Sequence, residues 1–298
     1  MRGFPRFPKV LISVSLVLTA ITQACASDVH QPQSTPPIGG KAATIPFDLY
    51  QGYFIVARGS IGGLKNLNFF IDTGTSSSVL DSRIARKLKL HSEEPANVIA
   101  VGGKVPGEWA NLPSVGLGPM QRSNLEVVTA DLSFFEKFLP VRIDAIVGVD
   151  MLGQSPFVID YSARVIRFGL APAWPDSVPL RLDAGFAVFD AEIDHKPVHL
   201  LLDTGASSLV MFTAITPNNP DIKGAEIRSI EPTGEFESKQ VLLQSLQLGP
   251  EEFRKKRALV TRNPEPSQID FDGLMSPVAL GISRISVDLN RGVMTFSR

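Results

Sequence analysis

The feature that most constrains the fold is repetition, because the chain states one pattern twice in the same order. Ile45-Pro46-Phe47-Asp48-Leu49 with Gly52-Tyr53-Phe54-Ile55-Val56 matches Val178-Pro179-Leu180-Arg181-Leu182 with Gly185-Phe186-Ala187-Val188-Phe189, at an offset of 133 residues. Phe69-Phe70-Ile71-Asp72-Thr73-Gly74-Thr75 matches Leu200-Leu201-Leu202-Asp203-Thr204-Gly205-Ala206, offset 131, and Ser76-Ser77 matches Ser207-Ser208. Phe157-Val158-Ile159-Asp160-Tyr161 matches Ile285-Ser286-Val287-Asp288-Leu289, offset 128. Three ordered blocks with so little drift mean two copies of one structural unit.

Each copy is built from short runs of Val, Ile and Phe. Turn signals separate them at Gly62-Gly63, Gly102-Gly103, Gly116 to Pro119 and Gly249-Pro250. Helical spacing is convincing only over Asp81 to Leu90, where Ile84, Ala85 and Leu88 share a face and Asp81 or Ser82 can cap the start. Phe134 to Leu139 is expected to form a single turn. The expected architecture is all-β: two similar lobes, 44–172 and 173–298, related by a pseudo-two-fold axis.

Upstream of the lobes, a basic stretch (Arg2, Arg6, Lys9) leads into an apolar run, Val10 to Ala20, which is too short to span a bilayer. Ala24-Cys25-Ala26 follows as an A-x-A-like cleavage site, so residues 1–26 read as a secretory leader and the mature protein as periplasmic or extracellular. A second fate for this segment is a lipid anchor at Cys25, although Thr22 and Gln23 fit a lipoprotein signal poorly. Residues 27–43, rich in Pro, Ser and Gly, read as a flexible tether. Cys25 is the single cysteine. Cleavage after Ala26 therefore leaves neither disulfides nor a thiol nucleophile. Lys plus Arg is 29 against 30 for Asp plus Glu, so no net field recruits nucleic acid.

In both copies an Asp follows an apolar run, Phe69 to Ile71 and Leu200 to Leu202, and precedes Thr-Gly. A fully apolar strand is buried on both faces, so its end delivers a carboxylate into poorly solvated surroundings. One such motif alone reads as a turn with a capping Asp. With two copies about a two-fold axis, Asp72 and Asp203 meet. Carboxylates about 3 Å apart cannot both ionise and share one proton, which supplies a general base and a general acid without a metal or cofactor. Thr75 offers a hydroxyl beside Asp72 where Ala206 offers none beside Asp203. The ionised form is therefore expected on Asp72.

These motifs resemble those of the aspartic peptidases, pepsin and the retroviral proteases among them. The short lobes are most similar to retropepsin-type bacterial aspartyl proteases fused in tandem, and the resemblance covers nearly all of residues 44–298. It implies two barrel-like lobes of the acid-protease type and hydrolysis of a peptide or unfolded protein by a monomer, with Asp72 and Asp203 catalytic. It also implies support from Thr73, Gly74, Thr75, Thr204, Gly205 and Ala206, with Thr73 and Thr204 cross-bracing the motifs. The family's apolar-apolar-Gly loop matches Ile146-Val147-Gly148. In the second lobe Leu274-Met275-Ser276 stands there, with Ser where Gly is usual. A pepsin-type flap Tyr is missing between Asp72 and Asp144, which points to the retroviral subtype. The expected flap is Val98 to Trp109, bending at Gly102-Gly103, with a weaker counterpart at Thr233 to Lys239.

Three other features have plainer readings. His195 and His199 are spaced as zinc ligands on a helix, but Pro197 lies between them and the repeat puts a hairpin there. Arg254-Lys255-Lys256-Arg257 reads as a solvated loop or edge strand, and Asp160 and Asp288 as turn residues. Two rival functions share the main pattern. Actin-like and sugar-kinase folds also carry paired Asp-x-Gly turns, but need long helices. A duplicated peptidase fold that binds peptides without cutting them differs in no motif.

Overall fold

A computed structural model describes residues 43–92, 94–101, 103–169, 172, 174, 176–212, 225–231, 234–261 and 271–298. The expected leader, the Cys25 anchor and all of the tether except Ala43 lie outside the described residues, as does Gly102. The first lobe runs β1 (Ala43–Tyr50), β2 (Phe54–Ile61), β3 (Leu64–Ile71) and β4 (Val79–Asp81) into helix α1 (Ser82–Leu88). The hairpin β5 (Pro95–Ala100) and β6 (Gly103–Leu112) follows, then β7 (Val115–Leu117), β8 (Met120–Arg122) and β9 (Leu125–Ala130). The lobe ends with β10 (Ala145–Val147), the one-turn helix α2 (Val149–Leu152), β11 (Phe157–Asp160) and β12 (Val165–Phe168).

The second lobe repeats this order. It starts with β13 (Asp176–Pro179), β14 (Arg181–Asp183), β15 (Phe186–Ile193), β16 (Lys196–Leu202) and β17 (Leu209–Phe212). Three longer strands follow: β18 (Ala225–Glu231), β19 (Gly234–Leu248) and β20 (Glu251–Thr261). Last come β21 (Gly273–Met275), the one-turn helix α3 (Pro277–Leu280), β22 (Arg284–Asp288) and β23 (Val293–Ser297). Most of the described chain is strand, in two lobes of one all-β design.

Equivalent strands pair equivalently. β10 runs parallel to β3 and antiparallel to β4, as β21 does with β16 and β17. β4–β9 and β17–β20 are both parallel. The β2–β7 and β15–β19 pairings curl each sheet back on itself. The two halves of β1 pair with different strands, residues 43–46 with β12 and 47–50 with β2. In the second lobe that work falls to separate strands, β13 with β23 and β14 with β15.

The lobes are sewn together by β11 and β22, in register Phe157↔Val287, Val158↔Ser286, Ile159↔Ile285. Phe157 and Ile285 are repeat equivalents, as are Ile159 and Val287. The pairing is therefore self-complementary, and the pseudo-two-fold axis passes between Val158 and Ser286. One buried apolar cluster spans both lobes across this seam, including Ile159, Ile166, Phe189, Ile285 and Phe296.

Strand pairing also corrects the first repeat block by one residue. Val56 lies opposite Phe70 and Val188 opposite Leu201, so Val56 corresponds to Val188 rather than to Phe189. The slip arises in the turn: three residues separate the paired Tyr50 and Phe54, but two separate Asp183 and Phe186.

Helix α1 forms where expected but ends earlier. Asp81 accepts a hydrogen bond from the Arg83 N–H, and Lys89, in the left-handed region at φ 52°, closes the C-terminus. Ile84 is its buried anchor. Ser133–Lys137 forms a 3-10 turn that buries Phe135. Asp160 and Asp288 are turn residues, each accepting a backbone N–H three positions on, from Ala163 at 2.8 Å and Arg291 at 3.0 Å. His195 sits in the β15–β16 turn, and His199 Nδ1 lies 2.8 Å from Asp190 Oδ1. Arg254, Lys255 and Arg257 are exposed on the part of β20 that pairs only with β19.

Candidate active site

Strands β3 and β16 end at Asp72 and Asp203, whose N–H groups donate to the Val147 and Met275 carbonyls, each at 3.0 Å. Both aspartates are fully buried. Within each turn the carboxylate receives local donors. Gly74 N–H reaches Asp72 Oδ1 at 2.8 Å and the Thr75 hydroxyl reaches Oδ2 at 3.1 Å. Gly205 and Ala206 N–H both reach Asp203 Oδ1 at 2.8 Å.

The two motifs interlock. Thr204 Oγ1 accepts the Thr73 N–H at 3.0 Å and donates to the Ile71 carbonyl at 3.2 Å. Thr73 Oγ1 accepts the Thr204 N–H at 3.1 Å and donates to the Leu202 carbonyl at 2.8 Å. Four buried hydrogen bonds thus cross the axis, each threonine hydroxyl accepting one N–H and donating to one carbonyl of the other lobe.

Beside this brace the two carboxyls lie near one another, close enough for the charge on Asp72 to act on Asp203. Each rests on the other lobe's glycine. A Cβ on Gly74 would lie 2.7 Å from Asp203 Cγ, and one on Gly205 would lie 2.6 Å from Asp72 Cγ. Only a residue without a side chain lets the partner carboxyl in so closely.

The sequence-level count of donors needs one amendment. Asp203 lacks a hydroxyl neighbour, but the Ala206 N–H takes its place. Placement is what differs. Asp72 has a donor on each oxygen, whereas Asp203 Oδ2 is buried with no N–H or hydroxyl directed at it among the described residues. A bare buried oxygen is where a shared proton is best held. Burial raises both carboxyls above the ordinary range. Gly74 and Thr75 pull Asp72 back down, while the charge on Asp72 pushes Asp203 further up.

The supporting loops differ between lobes for a traceable reason. A Cβ on Gly148 would lie 2.5 Å from the Thr75 carbonyl oxygen, which accepts the Val149 N–H at 2.8 Å. In the second lobe Pro277 stands where Val149 does and has no N–H. The Ser276 hydroxyl donates to the equivalent carbonyl of Ala206 at 2.6 Å instead. The departure at Ser276 is a replacement donor.

Two features escaped sequence reading altogether. Ser78 donates to both oxygens of Asp150, through N–H at 2.8 Å and hydroxyl at 2.7 Å, and the Gly148 N–H donates to the Ser78 hydroxyl at 3.0 Å. Burial raises the Asp150 carboxyl to about 6, against the pull of these donors. The second lobe has Leu209 and Val278 at the corresponding positions, so the tie is peculiar to the Asp72 side. The other feature is Val101, at the tip of the β5–β6 hairpin, which is 5% exposed and belongs to an apolar cluster of the second lobe. Of the expected flap residues, Gly103 opens β6 beside that tip. Trp109 lies instead at the hairpin's base, opposite Val128 and packed on first-lobe residues.

A family model described as aspartyl protease matches the chain twice, over residues 57–151 and 189–283. No curated protein matches the chain significantly. The two matched spans are related by an offset of 132 residues, the register that strand pairing gives for β2 and β15. Together they cover well over half of the chain and take in both Asp-Thr-Gly turns. This chain belongs to the aspartyl protease family, with one family unit in each lobe.

Proposed function

We propose that this protein is an exported aspartic-type endopeptidase that cuts unfolded polypeptide as a monomer, with Asp72 and Asp203 as its catalytic pair. The observation that carries the reading is the convergence of two fully buried carboxyls, delivered by equivalent turns and each set against the other lobe's glycine. Such a pair holds one proton between them. Asp72, with donors on both oxygens, is the ionised member and takes a proton from a water poised between the two groups. Asp203 gives its proton to the substrate carbonyl oxygen as the water attacks. The tetrahedral species then collapses with the roles exchanged, and the amine leaves protonated. An extended substrate fits the hairpin β5–β6, whose strand β5 ends its sheet and can accept backbone pairing. The leader-like residues 1–26 support export, with lipidation at Cys25 the alternative outcome of processing.

Hydrolysis of a denatured protein from acidic to neutral pH tests the reading. Asp72→Asn and Asp203→Asn should each lose at least about 10²–10⁴-fold in kcat/KM. Undiminished cleavage by both variants would sink the proposed pair. Peptide binding without cleavage at any pH would identify a binding module on the same fold.

A further inference from the structure

The Asp72 turn is held from behind by residues 147–150, which run from the end of β10 into α2. The two stretches are zipped together in order. The Asp72 N–H donates to the Val147 carbonyl at 3.0 Å, the Val149 N–H to the Thr75 carbonyl at 2.8 Å and the Asp150 N–H to the Ser76 carbonyl at 3.3 Å. The Gly148 N–H closes on the Ser78 hydroxyl at 3.0 Å. The last tie is a side chain. Asp150 Oδ2 accepts the Ser78 N–H at 2.8 Å, while Oδ1 accepts the Ser78 hydroxyl at 2.7 Å and the Met151 N–H at 2.9 Å. Thr75, inside the zipped stretch, is the residue whose hydroxyl reaches Asp72 Oδ2.

All three of these partners are donors, so the arrangement is complete only while Asp150 is a carboxylate. Protonation sets a hydrogen where a donor already points. The new O–H then meets either an N–H, which cannot accept, or the Ser78 hydroxyl, which has to turn its own hydrogen away. The group also titrates in an accessible range, because desolvation lifts it from 3.8 to about 6 against the pull of its donors. Of the charged side chains, Arg122 on β8 acts on it and favours the ionised form. Strand β10, on which α2 packs, carries no titratable side chain. The fold itself does not require the latch. Leu209 and Val278 stand for Ser78 and Asp150 in the second lobe, where the neutral Ser276 hydroxyl holds the Ala206 carbonyl.

We propose that Asp150 is a positioning residue for the catalytic pair: as a carboxylate it latches the loop that sets Thr75 against Asp72, and on protonation the latch opens and the Asp72 turn loses its register. This rests on the peptidase reading above. The latch is closed in about nine molecules in ten near pH 7 and in about one in ten near pH 5. Acid then silences the enzyme through two protons, one on the catalytic pair and one on Asp150, and cleavage is suited to near-neutral surroundings.

Two measurements test this. The first needs no turnover. Amide hydrogen exchange, corrected for its intrinsic pH dependence, should show the protection of the Ser78 and Gly148 amides falling about tenfold between roughly pH 7 and pH 5. In Asp150→Asn, whose carboxamide turns an N–H towards the same donors, protection should be low throughout. Equal protection at both pH values in the wild type overturns the latch. The second is the pH profile of kcat/KM. The wild-type acidic limb should be steeper than one proton, with a slope approaching about two, and that of Asp150→Asn should have a slope of about one. Near neutral pH that variant should be about tenfold or more slower than wild type, with the gap closing towards acid. Ser78→Ala keeps the carboxyl but removes a donor to its charged form, and so should move the steep part to higher pH; it decides the matter where Asp150→Asn does not fold. A one-proton limb in the wild type, a deficit equal at every pH, or an unmoved limb in Ser78→Ala refutes the positioning role. Protection that changes with pH in a chain that cuts no peptide would count against the peptidase reading and leave the latch standing.

Discussion

Replacing Thr75 by Val tests how the shared proton is placed. Val matches Thr in shape and deletes only the hydroxyl that donates to Asp72 Oδ2 at 3.1 Å. That donor stabilises the ionised carboxylate and so lowers the pKa of Asp72. A hydrogen bond to a charged group contributes about 1.5–3 kcal/mol. At 1.36 kcal/mol per unit, its loss should raise the acidic limb of the kcat/KM profile by roughly one to two units. The sign follows because the proposed mechanism needs one carboxylate ionised, and the variant reaches that state only at a higher pH. The assay is initial-rate hydrolysis of one peptide over the acidic range, on free enzyme under kcat/KM conditions. Circular dichroism should be unchanged. An acidic limb that stays in place, in a variant that folds normally, would mean that Thr75 does not set the ionisation of Asp72 and that the proton assignment is wrong.

Three further outcomes follow from the same geometry. Burial lifts the Asp72 carboxyl from 3.8 to about 6 in the folded protein, so between those values the native state holds a proton that the unfolded chain has released. Stability should therefore fall as pH rises through that window, by on the order of 3 kcal/mol for this group, and Asp72→Asn should flatten the slope of Tm against pH. Thr73→Val strips a buried N–H and a buried carbonyl of their partners across the axis. It should cost about 2–4 kcal/mol in urea unfolding, together with activity. Ser276→Gly leaves the Ala206 carbonyl without its donor and should cost about 1–2 kcal/mol, whereas adding Pro277→Val restores an N–H there and should recover most of it. Equal stabilities for the single and double variants would refute the replacement-donor reading.

Legibility from sequence tracked how local the determining physics was. The Asp-Thr-Gly turns were plain because each depends on a few contiguous residues: an apolar strand, a carboxylate and a glycine. Duplication then turned two local signals into one prediction about their meeting. Helix α1 was readable from Asp81, Ile84 and Leu88 for the same reason. The one-residue slip between Val56 and Val188 was hidden because Gly52 and Gly185 align well as turns, and only strand pairing reveals that one turn is longer. Ser276 looked like a defect until Pro277 was seen to lack the N–H that the first lobe uses. The Ser78–Asp150 tie joins residues far apart in the chain, and no spacing rule connects them. Val101 was the least readable of all. Its burial comes from the opposite lobe, and nothing in the residues around it announces that partner.

The symmetric joint at Val158 and Ser286 has a consequence for how such a molecule behaves in dilute surroundings. A catalytic centre shared by two separate chains falls apart when its concentration drops below the dissociation constant of the pair. Here the two contributors travel on one polypeptide, so their encounter is intramolecular and specific activity should hold at any dilution. The same covalent tie releases each half from the need to match itself, and the halves have used that freedom: one keeps Gly148, Phe135 and Asp150, while the other carries Ser276 and receives its neighbour's valine.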